Sequence, residues 1–256
     1  MTLFDPSDAP PLSYGLARLF GQLTAGLRNV LGDNLVSFYS YGALAFPRPP
    51  QWRTDIDFHV LLARELTDDQ RIGVQQLHRE LATFGYDLDG YYLLVGDAHE
   101  ASPPTSQVTG LPATGAPEYA TDGAWALHRA HVLAGRFLLF AGTDPRPLLV
   151  TPTWAEMTDA LNAEMAYVEA HPEHASFGIL NSCRVLRSCV RRDVVVSKYD
   201  AAIWGLRELP TRWHACIDAA VRAYSESATA SDTETIEADH GAFVAFVRER
   251  LGRLSR

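Results

Sequence analysis

One short stretch narrows what this chain can become more than any other. Residues 54–62 read TDIDFHVLL. In a strand, side chains alternate between faces, so Asp55, Asp57 and His59 share one face while Ile56, Phe58, Val60 and Leu62 fill the other. The apolar face needs a covering layer. The charged face needs something else, because two neighbouring carboxylates on an otherwise hydrophobic strand repel each other unless a hard divalent cation sits between them. Mg²⁺ fits that requirement.

A second strand, expected over residues 86–95 (YDLDGYYLLV), again carries carboxylates two apart, Asp87 and Asp89. Asp89 is the expected third carboxylate and proton acceptor, with Asp87 as the alternative. Phosphoryl-type transfer uses such a set: ligands for a metal that spreads charge over nucleotide phosphates, and a base for the acceptor's proton. His59 reads as a structural residue.

The surrounding pattern is that of a small α/β unit. Leu16, Leu19, Phe20, Leu23, Leu27 and Val30 recur at helical spacing, with Gly32 as a stop. A strand is expected over residues 35–41, and a loop with three prolines over 46–53. Thr67 with Asp68 and Asp69 opens a second helix whose inner face is Ile72, Leu77, Leu81 and Phe84. This first domain is placed at residues 1–100. Residues 101–150 form a connecting region and the start of a helical domain, and residues 151–256 the C-terminal helical domain. Within it, helices are marked by Trp154 to Val168, Ile179 to Val190, Ala201 to Leu209, Trp213 to Tyr224 and Phe243 to Leu251, with residues 225–237 as a polar loop.

A chain of 256 residues is long enough for two such domains. The 31 acidic and 22 basic side chains leave a formal charge of −9, which disfavours nucleic acid and anionic membranes and favours a cationic ligand. Cys183, Cys189 and Cys216 form no C-x-x-C pair and read as core thiols of a reducing compartment. With no apolar stretch of membrane-spanning length and no leader pattern at the N-terminus, the expected location is the cytoplasm and the expected state a monomer.

Beyond these patterns the sequence resembles the aminoglycoside adenylyltransferases of the streptomycin/spectinomycin type. The resemblance rests on Tyr41-Gly42-Ala43, a loop, Thr54-Asp55-Ile56-Asp57 and a later strand with Asp89. It continues through Gly135, residues 180–186 (LNSCRVL), residues 197–204 (SKYDAAIW), Leu209-Pro210 and Ala223-Tyr224. It implies a polymerase-β-like nucleotidyltransferase domain followed by an all-α helical bundle, and transfer of AMP from Mg-ATP to a hydroxyl of a small cationic acceptor, an aminoglycoside or aminocyclitol. Carried over by position, Gly42, Ala43 and Thr54 are nucleotide contacts at the phosphates, Asn181 shares the helix face of Arg184, Arg184 and Lys198 neutralise the triphosphate, and Tyr224 lies near the nucleotide. Asp55, Asp57 and Asp89 supply the metal ligands and the base.

The family's Ser after Gly is Ala43 here, which motivates a second reading, a ligand-binding module of the same fold with impaired catalysis; a third is the same chemistry on an unrelated metabolite. For a cationic acceptor, acidic and aromatic side chains are wanted. Glu156, Glu164, Glu169 and Glu173 are candidates for ammonium groups, Glu173 falling nearest the family's acidic acceptor contact, and Trp125 is a candidate to stack on a sugar ring.

Overall fold

The computed structural model describes residues 12–49, 52, 55–108 and 123–254. The chain divides into two compact units, the first of residues 1–47 and 54–152, the second of residues 48–53 and 153–256.

In the first unit, helix α1 (Tyr14–Leu31) is capped by the Ser13 hydroxyl, which accepts from Leu16 N–H, and ends at Gly32 with positive φ. Its buried stripe is Leu16, Leu19, Phe20, Leu23, Leu27 and Leu31. Strands β1 (Leu35–Ser40) and β2 (Ile56–Leu62) pair antiparallel. Helix α2 (Asp68–Leu81) opens with a reciprocal capping box between Thr67 and Gln70, and strand β3 (Leu88–Leu94) then runs parallel to β2. A short helix α3 (Val95–Ala98), helix α4 (Trp125–Leu133) and strand β4 (Leu138–Gly142) follow. The sheet order is β3-β2-β1-β4, with β4 antiparallel to β1.

Two differences from the sequence reading have plain causes. Ile72 is exposed, because the inner face of α2 is Val74, Leu77, His78 and Leu81, a three-to-four spacing into which position 72 does not fall. Strand β4 lies in the stretch read as a connection and the beginning of the helical half; its short LLFAG sequence pays for its place by pairing with β1, which no local pattern announces.

The sheet has two packed faces. Ile56, Phe58, Val60 and Leu62 join Leu19, Phe20, Leu23, Val74 and Leu81 in one core. Leu61, on the carboxylate face, joins Tyr39, Tyr41, Leu93, Ala98, Trp125 and Val132 in another.

In the second unit, helices α5 (Trp154–Ala170), α6 (Ala175–Arg191), α7 (Lys198–Glu208), α8 (His214–Tyr224) and α9 (Ala230–Leu254) form the bundle. Helix α6 packs against all four others. For that reason the polar residues Asn181 and Ser188 of this helix are buried. Helix α9 begins inside the stretch read as a polar loop. Thr229 and Asp232 cap each other's backbone N–H groups, Asp232 pairs with Arg222, and Ile236, His240, Phe243, Val244 and Val247 supply a buried stripe. Among the described residues no helix is long and apolar enough to cross a membrane. The three cysteines are free thiols, and burial pushes Cys216 up to about 12.

Candidate active site

Along β2 the carboxylate face passes from exposed to buried: Asp55 is exposed, Asp57 half-buried, His59 and Leu61 buried. The cover comes from α3, α4 and the aromatic side chains of β1, so only the start of the strand is open. His59 is wholly buried, its Nδ1 3.0 Å from Tyr39 Oη and its ring flanked by Tyr41, Tyr91, Trp125 and His128.

The parallel register places Asp57 directly beside Asp89. Neighbouring strands are about 4.8 Å apart, and register partners point to the same face. Asp89 is exposed. Asp87 precedes β3 and its carbonyl accepts from Ile56 N–H at 2.9 Å, which helps set that register. The backbone of Asp57 is held from the other side, its carbonyl accepting from Tyr41 N–H at 3.1 Å and from the Ser40 hydroxyl at 2.8 Å.

Gly42 has φ +64° and opens a 3-10 turn, Gly42–Ala45. A Cβ built on it would collide with Asp57 Oδ2 and stand 2.9 Å from Cγ. The backbone at position 42 therefore lies against the carboxylate, a close approach that requires glycine. Ala43 is half-buried in the same turn. Thr54 lies outside the described residues.

In the helical unit, Glu164 Oε2 accepts from Asn181 Nδ2 and from the Arg184 guanidinium, both at 2.8 Å. Lys198 is the first residue of α7, beyond the Ser197 cap, and its Nζ lies 4.3 Å from the Phe177 ring centroid and 5.5 Å from that of Tyr224. Trp52 packs on Tyr224 at 5.2 Å and Tyr199 at 5.5 Å. The segment 48–53, cut out of the proline-rich loop, belongs to this unit. Lys198, Tyr224, Phe177 and Trp52 thus form one cation-aromatic group. Phe177 was not singled out in the sequence, although stepping back one turn along the Asn181 and Arg184 face of α6 reaches it.

Trp125 does not serve as expected. It is 1% exposed, packs in the core under α4 and donates its indole N–H to the Glu100 carbonyl, so neither ring face is open to a sugar. The glutamates are also engaged. Glu156 closes a capping box with Thr153, Glu169 makes two bonds to Arg248, and Glu173 accepts from His171, which holds its carboxyl below the usual range.

Residues 151–250 match the family described as "Aminoglycoside adenylyltransferase, C-terminal domain". The match covers the helical part of the chain. The fold as a whole is similar to that of a solved spectinomycin adenyltransferase, AAD(9) from Enterococcus faecialis, determined with ATP and spectinomycin. The TM-score is 0.72 at 16% identity, covering 94% of this chain and 99% of that one. No curated protein matches the chain. The resemblance read from the sequence to aminoglycoside adenylyltransferases is borne out, as is the architecture of an α/β unit followed by helices.

Proposed function

We propose that this protein transfers AMP from ATP to a hydroxyl of a small cationic acceptor, of the aminoglycoside or aminocyclitol class. The observation that carries the proposal is the pairing of Asp57 with Asp89 on adjacent parallel strands, at the open end of a face that begins with Asp55.

Asp55, Asp57 and Asp89, on and just before the neighbouring strands β2 and β3, offer an all-oxygen donor set, which suits Mg²⁺. Asp55 and Asp57 would hold it, and when bound it supplies charge neutralisation at the nucleotide phosphates. Asp89 accepts the proton of the acceptor hydroxyl. The freed oxygen bonds to the α-phosphorus, the bond from that phosphorus to the bridging oxygen breaks, and pyrophosphate leaves.

Gly42 and Ala43 offer backbone N–H groups to phosphate, with Thr54 beside the metal ligands in sequence. Lys198 stands at the N-terminus of α7, where its charge adds to the helix dipole and attracts anions. Arg184 has five N–H donors, of which Glu164 takes one in the contact described, and Asn181 braces the same carboxylate. Tyr224 presents an aromatic ring for the nucleotide. Glu173 is exposed and can offer carboxylate oxygen to an acceptor ammonium. The net charge of −9 attracts such an acceptor and repels nucleic acid.

The test incubates purified protein with Mg-ATP and a panel of aminoglycosides and aminocyclitols, with Asp57→Asn alongside, and seeks by mass spectrometry an acceptor heavier by one AMP. A product lost in the variant supports the reading. ATP binding without product across the panel favours the binding-module alternative that Ala43 suggests, and product formation undiminished in Asp57→Asn sinks the assignment.

A further inference from the structure

The turn between α5 and α6 gathers two imidazoles around Glu173 that have no part in adenylyl transfer. His171 ends α5, and Pro172–His174 makes one 3-10 turn before α6. Backbone bonds set the turn, with His171 N–H donating to the Tyr167 carbonyl and His174 N–H to the His171 carbonyl, both at 3.1 Å. Pro172 restricts φ within it. The His171 ring rests on Tyr167, centroids 4.3 Å apart. From this frame His171 Nδ1 reaches Glu173 Oε1 at 2.8 Å, His174 Nε2 lies 4.0 Å from the same oxygen, and the three donor atoms all fall within 4.8 Å of one another.

We infer that His171, Glu173 and His174 form a binding site for a divalent transition-metal ion of the zinc class. Two imidazole nitrogens and one carboxylate oxygen are a borderline donor set, whereas Mg²⁺ and Ca²⁺ prefer oxygen throughout, so this site and the carboxylate edge select different ions. Tetrahedral zinc with bonds of about 2.0–2.1 Å places its ligand atoms about 3.4 Å apart. The observed 2.8 and 4.0 Å lie on either side of that spacing. His174, 55% exposed, turns to close the wider gap, and the exposed Glu173 carboxylate swings to open the narrower one as the ion replaces the proton that His171 Nδ1 shares with it. Because all three side chains are open to solvent, the ion enters directly and keeps water in its remaining position. The site does not depend on the adenylyl-transfer reading: neither histidine belongs to the carboxylate or phosphate-facing groups, and Glu173, the one residue shared, serves there as an acceptor contact and takes no part in the transfer itself.

The test uses untagged full-length protein, stripped with chelator and held in excess Mg²⁺ to occupy oxygen-only sites. Zinc binding is followed by calorimetry and cobalt(II) binding by visible absorption. Expected are one equivalent of zinc and cobalt bands typical of nitrogen ligation, both lost in His171→Ala/His174→Ala. Glu173→Gln is expected to weaken binding roughly tenfold or more. Circular dichroism checks that the double variant is folded; if it is not, His174→Gln alone, at the exposed end of the turn, takes its place with the same expectation. No zinc uptake by the wild type, or uptake unchanged in the folded variant, overturns the site.

Discussion

Gly42 and Asp57 are packed so closely that the glycine backbone occupies the space a side chain would need, with the Asp57 carboxylate directly against it. The positive φ of Gly42 adds a second reason for the absence of a Cβ. Replacing it affects the backbone and the carboxylate together.

Gly42→Ala is therefore expected to cost about 1–2 kcal/mol in stability from the left-handed backbone alone. Displacing Asp57 by a fraction of an ångström should also lower kcat/KM roughly 100-fold. Urea unfolding and steady-state kinetics on the same preparation separate the two effects. A fully active variant would show that Asp57 does not need its present position.

Asp89 and Asp57 stand side by side but should fail differently. Asp89→Asn removes the proton acceptor, so kcat should fall by roughly 10²–10⁴ while Mg-dependent ATP binding persists. Asp57→Asn should weaken that binding itself. Calorimetric titration with Mg-ATP beside turnover assays reads both, and identical behaviour of the two variants would undo the division of roles.

Trp125→Ala tests a residue that changed its meaning between sequence and structure. As a core residue its loss should destabilise the first unit by about 3–5 kcal/mol. The acceptor KM of the protein that remains folded should be unchanged. A raised KM with unaltered stability would restore the stacking role.

His78 offers a pH test. It is buried, its Nε2 lies 2.7 Å from Tyr92 Oη, and burial pushes its pKa from 6.5 down to about 4. Between those values the unfolded chain binds a proton that the folded protein does not, so stability is fully present above pH 6.5 and falls as the pH drops towards 4. The loss by pH 4 is about 3 kcal/mol. Denaturant unfolding from pH 7 to pH 4 should show this slope in the wild type and a shallower one in His78→Gln.

Much of this molecule was legible in local sequence. The alternation in TDIDFHVLL gave the two faces of β2, the period of α1 marked its buried stripe, and Thr67 announced the start of α2. Each depends on side chains a few residues apart, where spacing maps onto geometry without knowledge of the rest of the chain. The start of α9 was missed because its residues are polar, and its cap draws on Arg222 of the preceding helix.

By itself, then, the sequence determined the two-part organisation of strands and helices, the carboxylate face of β2 and the family likeness, because periodicity and motif are properties of neighbouring residues. Only the tertiary structure decided that Asp89 is the register partner of Asp57, that β4 completes the sheet beside β1, that Trp52 packs on Tyr224, and that Trp125 is core. Those outcomes depend on which distant segments pair and which side chains lose their water, and the energy of such contacts belongs to both partners at once.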